Sequence, residues 1–285
     1  MRVGFVGLGD QGAPVAHRIA AAGFDCVVWA RRQQALEPFR AGPAKVAGSL
    51  AELGMSVELL ETCVFDAAGT QEVLFGPDGA ARTMAPGSII AVHSTISATE
   101  VRAVAAQAAR RGLRVLDAPV SGGGLKAARG ELVTMIGGDA DTLEECRPVF
   151  AAFANLIVHL GGVGAGQQAK LINNAMLAAN TAIAADAFGI AERLGLDRDG
   201  LAEVLQNGSG RSYGVEMAAP PGALRYMANS QARSTLAKDV RLLAELLSGA
   251  APGSPGGGAG AWPVLLPVAQ ELIARLDAAA SAHDR

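Results

Sequence analysis

The sequence predicts an α/β amino-terminal domain built on a mainly parallel sheet, then one long connecting helix, then an all-helical carboxy-terminal domain. Three observations carry this prediction. Short apolar runs alternate with helical patterns through the first half, a long proline-free stretch follows, and everything beyond it reads helical. At 285 residues, half of them hydrophobic, the chain has the length of two average domains and enough apolar content for substantial cores. The expected division is 1–163 and 164–285.

Taken in order, Val3–Leu8 reads as a strand, Ala13–Ala22 as a helix and Phe24–Trp29 as a second strand. Later strands are expected at Leu59–Phe65, Ser88–His93, Arg114–Asp117, Leu132–Ile136 and Leu156–Leu160, with helices at Ala98–Arg111 and Thr142–Ala152. Strands that are apolar almost throughout, each followed by a helix, indicate a parallel sheet covered on both faces. From Ala165 to Leu194 there is no proline, and Gly189 is the sole glycine beyond the first turn before the stop at Gly195. A helix of that length spans roughly 45 Å, long enough to cross between two domains. It is apolar around much of its circumference, so burial is expected. Helices follow at Arg198–Gln206, Ser234–Leu247 and Pro263–Ala280, with Ser248–Ala261 a Pro/Gly-rich and mobile loop.

Gly7-Leu8-Gly9-Asp10-Gln11-Gly12 fits G-x-G-x-x-G. Alone that is a weak signal in a chain with 36 glycines, but here it follows a strand and opens a helix within a βαβ unit. The glycines permit a tight turn and close backbone approach, and the helix N-terminus offers amides and dipole to a pyrophosphate. The amino-terminal domain is therefore expected to be of the Rossmann type, with Gly7, Leu8, Gly9, Gln11 and Gly12 holding a dinucleotide. At the end of the second strand, about 20 residues past Gly12, an NAD-type site carries an acid for the ribose hydroxyl. Here the chain reads Arg31-Arg32, which suits a 2′-phosphate, so NADP is favoured with NAD open.

Two further segments carry chemistry. Asp117-Ala118-Pro119-Val120-Ser121-Gly122-Gly123-Gly124 lies at a strand C-terminus, where open α/β sheets bind ligands; Ser121 and the amides beside it suit a carboxylate. Asp117 reads as a loop-fixing acceptor of backbone amides rather than an acid catalyst. Gly164-Ala165-Gly166-Gln167-Gln168-Ala169-Lys170-Leu171-Ile172-Asn173-Asn174 opens the long helix, and Lys170 and Asn174 share one face at i and i+4. A lysine on so apolar a helix is costly to bury without a task or a partner.

Together with Phe5-Val6-Gly7-Leu8-Gly9, His93-Ser94-Thr95-Ile96-Ser97 and Lys238-Asp239, occurring in this order over nearly the whole chain, these segments resemble the β-hydroxyacid dehydrogenase family. The resemblance implies that Lys170 is the general acid/base, that Ser121, Gly122 and Gly123 hold a substrate carboxylate, and that Asn174 orients the substrate. It further implies that Thr95 lies beside the nicotinamide, that Lys238 meets the cofactor, and that the protein forms a homodimer or homotetramer. The chain departs from the family pattern at Asp10-Gln11, where an apolar pair is usual, and at His17. Chemistry read from the residues agrees: hydride loss from a C–OH carbon needs a proton acceptor on the oxygen, which a partly desolvated lysine supplies. The expected activity is hydride transfer between NADP or NAD and a small carboxylate-bearing β-hydroxy acid. The rivals are an imine reductase, which typically replaces this lysine, and a silent dinucleotide-binding protein, which would be expected to lose Lys170 or Ser121.

A net charge of −3 argues against a nucleic-acid partner, and no apolar run reaches membrane-spanning length. The strand pattern from residue 2 leaves no room for a signal peptide, so a cytoplasmic protein is expected. Cys26, Cys63 and Cys146 lack C-x-x-C spacing and fit a reducing interior, with Cys63 and Cys146 as small core residues. His17, His93, His159 and His283 show no metal-ligand spacing, so no metal is expected, and His93 and His159 read as strand-end residues. Gly208–Ser212 reads as a helix–helix turn or, by the resemblance, as a substrate-specificity loop through Ser209 and Arg211.

Overall fold

A computed structural model describes residues 1–249 and 264–281. The loop expected at Ser248–Ala261 lies, from residue 250 on, outside the described residues, as do Pro263 and His283. The chain divides into two compact units, Met1–Lys170 and Leu171–Arg285.

The first unit runs β1 (Arg2–Val6), α1 (Gly12–Ala21), β2 (Asp25–Trp29), α2 (Glu37–Arg40), β3 (Lys45–Val46), α3 (Leu50–Ser56), β4 (Leu59–Thr62), α4 (Ala67–Phe75), β5 (Ile89–Val92), α5 (Ala98–Ala109), β6 (Arg114–Asp117), β7 (Val120–Ser121), α6 (Gly123–Arg129), β8 (Leu132–Ile136), α7 (Ala140–Phe150) and β9 (Ala154–His159). Six strands form one parallel sheet in the order β3-β2-β1-β4-β5-β6. The later strands do not extend it: β7, β8 and β9 make a separate sheet, antiparallel between β7 and β8 and parallel between β8 and β9. Asp117 and Gly137 bridge the two sheets through paired backbone bonds.

Period-two alternation splits the strand side chains between two cores. Val3, Phe5, Leu59, Ile89, Ala91 and Leu116 pack with Val15 and Ile19 of α1 and Cys146 and Phe150 of α7. Val6, Leu60, Ile90, Val92 and Val115 pack instead with Leu53 of α3 and Val101 and Val104 of α5. With both faces covered, all four residues of β4 and of β5 are buried, which is why those strands read as unbroken apolar runs apart from Glu61 and Thr62.

The long helix, α8 (Ala165–Leu194), has the bounds the sequence predicts, and its first residues belong to the first unit. The second unit continues it with α9 (Arg198–Asn207), α10 (Tyr213–Ala218), α11 (Ala223–Ala228), α12 (Gln231–Ser248) and α13 (Leu265–Ser281). Leu171, Ala175, Ala178 and Ala182 of α8 form a core with Met227, Leu236, Val240, Leu243, Leu272 and Leu276. The expectation that α8 is buried rather than exposed is corrected for one face: Ile172, Met176, Ile183 and Ile190, at spacings of four and seven, are about half exposed. Apolar character on a helix says that a face wants cover, not that its own chain supplies it. Among the described residues, no helix is long and apolar enough to cross a membrane.

Candidate active site

The G-x-G-x-x-G turn leaves β1 after Val6, and its three glycines answer to three different constraints. Gly7 sits at φ +102°, where a side chain would run into the Cys63 carbonyl. Gly12, the first residue of α1, lies against the Gly7 carbonyl, so a Cβ there would push the helix off its strand. At Gly9 a Cβ would meet no protein atom within 4 Å, so the backbone there is open to a ligand. Helix α1 has no side-chain cap and no acid in its first turn. By contrast α3, α4, α5, α7, α9, α10 and α12 each begin at a Ser or Asp whose side chain accepts a helical N–H. The dipole end of α1 thus carries no side-chain anion of its own, as a dinucleotide pyrophosphate requires, and the residues present fit that group, with the Ala13 N–H turned back to the Gly9 carbonyl at 3.0 Å and Pro14 offering none. Leu8 is buried beneath the turn and Gln11 is the residue preceding the helix. Arg31 and Arg32 are exposed just past β2, the neighbour of β1, and so stand at the same sheet edge.

Three strand-end loops converge on the start of α8. The Asp117 carboxylate, fully buried at the end of β6, accepts the Gly164 N–H at 2.7 Å and the Gln167 N–H at 2.8 Å. It behaves as the amide acceptor the sequence suggests, but the amides belong to the first turn of α8 rather than to its own loop. A Cβ at Gly166 would strike the Met135 carbonyl and the Asp117 carboxylate, so only glycine allows this approach. Burial pushes the Asp117 carboxyl above its usual range, opposed by the backbone amides it accepts.

Gln167, also fully buried, uses its side-chain amide in both senses. Its Nε2 donates to the Ser94 carbonyl at 2.9 Å and its Oε1 accepts the Ile96 N–H at 3.1 Å. Thr95 is thus held between two gripped neighbours, while the Ser94 hydroxyl accepts the Val64 N–H at 3.0 Å after β4. Ser97 then closes the loop as a reciprocal cap with Glu100. Lys170 follows Gln167 by three residues, one turn along α8, and is half-buried. Ser121 ends β7, paired across to Val133, and Gly122 at φ +138° turns the chain into α6 through Gly123. Gly124 lies against the Asp10 carbonyl, so the Ser-Gly-Gly-Gly segment abuts the dinucleotide turn. The structure therefore brings the Gly7–Gly12 turn, Thr95, Ser121–Gly123 and the α8 start to loops on one side of the first unit.

Within the second unit, Asn174 is buried and its Nδ2 donates to Asp239 Oδ2 at 2.5 Å. Lys238 Nζ lies 3.6 Å from Asp239 Oδ1, with the carboxylate fully buried between the two. Ser209 and Arg211 are exposed in the turn between α9 and α10. The three cysteines are not candidate nucleophiles: burial, the largest cause, pushes each thiol up to about 12.

Residues 2–161 match the family model described as the NAD binding domain of 6-phosphogluconate dehydrogenase, and residues 164–283 that described as NAD-binding of NADP-dependent 3-hydroxyisobutyrate dehydrogenase. The chain belongs to the β-hydroxyacid dehydrogenase family. As a β-hydroxyacid dehydrogenase it is 35% identical over 263 residues to an NAD-dependent L-serine dehydrogenase of Pseudomonas aeruginosa, covering 90% of this chain and 88% of that one. It is 37% identical over 231 residues to a probable 3-hydroxyisobutyrate dehydrogenase of Mycobacterium tuberculosis, covering 77% and 74% of the two chains. Among solved structures, the 3-hydroxyisobutyrate dehydrogenase of Mycobacterium tuberculosis with L-serine superposes with a TM-score of 0.79 at 29% identity, covering 98% of this chain and 99% of that one. This β-hydroxyacid dehydrogenase is an oxidoreductase that binds a nicotinamide dinucleotide and transfers hydride.

Sequence reasoning assigned no role to Gln167 or Asp239, although both lie beside residues it singled out. The available signal was chemical: a glutamine in the first turn of a largely apolar helix, and a carboxylate directly after a lysine in Lys238-Asp239.

Proposed function

We propose that the enzyme interconverts a small β-hydroxy acid and its semialdehyde or keto acid, with NADP preferred over NAD and Lys170 as the proton carrier. The observation that carries the reading is the buried tie at the start of α8. Asp117 and Gln167 fix, within one turn of each other, the loop around Thr95 and the helix bearing Lys170. A proton carrier and a hydride site must be held to each other within a fraction of an ångström, and fully buried hydrogen bonds do that.

Gly7, Leu8, Gly9, Gln11 and Gly12 would hold the dinucleotide, with Arg31 and Arg32 on a 2′-phosphate, Thr95 beside the nicotinamide and Lys238 also on the cofactor. The bound nicotinamide supplies a hydride acceptor in oxidation and a donor in reduction. Ser121 with the Gly122 and Gly123 amides binds the substrate carboxylate, and Asn174 orients the substrate. Lys170 removes the hydroxyl proton in oxidation and returns it in reduction. Serine and 3-hydroxyisobutyrate, for which the relatives are named, share a carboxylate and a hydroxyl on the β-carbon, and that pattern defines the substrate class. The 1–163 and 164–285 segments act as cofactor domain and as substrate and oligomerisation domain in the cytoplasm, and a dimer or tetramer would cover Ile172, Met176, Ile183 and Ile190.

The test is single-turnover hydride transfer at saturating cofactor, with hydroxy acids of this class as substrates. Lys170→Ala is expected to lose about 10²–10⁴ of the chemical rate with dinucleotide binding nearly intact, and Lys170→Arg not to rescue it. Oxidation needs the neutral amine, so its rate should climb with pH while that of reduction fades. A Lys170→Ala enzyme keeping more than about a tenth of the rate removes the lysine from the mechanism and reopens the imine-reductase reading.

A further inference from the structure

One buried ionisable pair in the first unit has no place in the mechanism above. Phe5, Glu61, Ala91 and Leu116 lie in one row across β1, β4, β5 and β6. By alternation Glu61 points into the same apolar core as Phe5. Its carboxylate has no exposed surface, and neither oxygen has a hydrogen bond among the described residues. Nε2 of His93 lies 3.5 Å from Oε2, in a side chain itself almost fully buried. The imidazole is walled by aromatic rings: Phe5 stacks on it at 6.1 Å, and Phe150 and Phe153 meet it edge-on at 6.1 and 5.7 Å.

The proton count follows from the other ring nitrogen. His93 Nδ1 lies 2.7 Å from the Ala118 carbonyl, which only accepts, so Nδ1 carries a proton and donates. An ionised Glu61 facing a neutral His93 would then set two lone pairs against each other in an apolar layer. A protonated Glu61 facing an imidazolium would leave a net buried cation. The other titratable groups facing the pair are the thiols of Cys26, Cys63 and Cys146, on β2, just past β4 and on α7; all three stay neutral, while α1 offers only Val15, Ala16 and Ile19. One proton shared between Glu61 and His93 Nε2 is the arrangement that leaves neither repulsion nor net charge.

We propose that Glu61 and His93 are positioning residues, a neutral one-proton pair that ties the Ser94–Thr95 loop to the Ala118–Pro119 loop. His93 directly precedes Ser94 and Thr95, and its own N–H is held by the Thr62 carbonyl. Ala118 directly follows Asp117, which holds the start of α8, and leads to Ser121. The imidazole therefore pins together the loop assigned to the nicotinamide and the one assigned to the substrate carboxylate. Glu61 fixes the imidazole by taking up its second nitrogen, as second partners do for catalytic histidines. The proposal rests on the hydride-transfer reading for its effect on rate, and on the pair alone for its effect on the loops.

The experiment compares Glu61→Gln with Glu61→Leu. Glutamine keeps a donor toward Nε2, whereas leucine fills the space and removes it. A merely structural buried pair tolerates the apolar replacement. The expectation is that Glu61→Leu loses at least tenfold in kcat with dinucleotide Kd unchanged, while amides of residues 94–96 and 118–120 exchange with deuterium faster. Glu61→Gln should stay within about threefold of wild type in all three. In wild type at neutral pH, the ¹⁵N and ¹H signals of His93 should show Nδ1 protonated and one strongly deshielded proton shared at Nε2 with Glu61. Unchanged kcat and exchange in Glu61→Leu would overturn the positioning role, and a His93 Nε2 showing no such proton would overturn the shared proton. If wild type turns over no β-hydroxy acid, only the reaction reading fails; the exchange and ¹⁵N measurements still decide the tie.

Discussion

Replacing Asp117 with Asn changes one atom and should be felt from β6 to Lys170. In wild type both carboxylate oxygens, fully buried, accept short N–H bonds from Gly164 and Gln167. Each such charge-assisted bond contributes about 1.5–3 kcal/mol. The variant keeps one oxygen as a neutral acceptor and turns an NH₂ group against the other amide, leaving two donors facing. Part of that loss is offset, because burial holds the Asp117 carboxyl above its usual range and the amide escapes that desolvation. The net cost is about 2–4 kcal/mol. For a unit of this size each kcal/mol moves Tm by about 2–4 °C, so thermal unfolding should start about 5–15 °C earlier. The sign with pH also follows. A carboxyl raised in the folded state takes up its proton before the unfolded chain does, so its contribution is fully present below the ordinary value of 3.8 and is lost as pH rises through the folded value. The wild-type advantage over Asn should therefore widen on acidification. Calorimetry across pH, together with single-turnover hydride transfer, is the assay; the rate should fall at least tenfold because the helix carrying Lys170 loses its anchor. A Tm within 2 °C of wild type and an unchanged rate would refute the reasoning.

Two other predictions concern the cofactor. Arg31→Ala with Arg32→Ala should weaken NADP at least tenfold while leaving NAD nearly untouched, since each lost phosphate bond is worth about 1.5–3 kcal/mol; equal weakening of both, measured by titration, removes the 2′-phosphate assignment. Gly9→Val should leave Tm within a few degrees but abolish dinucleotide binding, because its side chain meets open space rather than protein, whereas Gly12→Ala, aimed into the Gly7 carbonyl, should lower Tm itself.

Much of the architecture was legible in the residues, for identifiable reasons. Arg114–Asp117, Leu132–Ile136 and Ala165–Leu194 have the bounds the sequence predicts, because charge, glycine and apolar runs change sharply at their ends. The short helices α3, α4 and α6 were not read. Of α4 only Thr70, Val73 and Leu74 are buried, and its apolar residues do not segregate to one face. Yet a local signal existed: Ser49 accepts from Glu52 and Asp66 from Gly69, the chemistry of a helix start. That β7–β9 form their own sheet depends on the Asp117–Gly137 bridge, a long-range pairing with no local pattern. The G-x-G-x-x-G turn, Asp117 and Lys170 stood out because glycine spacing and misplaced charge are one-dimensional signals. The amide of Gln167 and the pairing of Glu61 with His93 did not, since their partners lie 71 and 73, and 32, positions away along the chain.

The uncapped start of α1 sets a trap for anyone engineering this chain. Seven other helices carry a Ser or Asp that accepts one of their first amides, a feature commonly worth about 1 kcal/mol. A thermostability screen run on the ligand-free protein would reward an acid at position 11, which would complement the helix dipole even though Pro14 at the third helical position has no N–H to cap. The acidic side chain that steadied the ligand-free enzyme would sit at the dipole end meant for the pyrophosphate and repel its charge. Selection for heat resistance has to be run with the dinucleotide present, or it will enrich for proteins that no longer bind it.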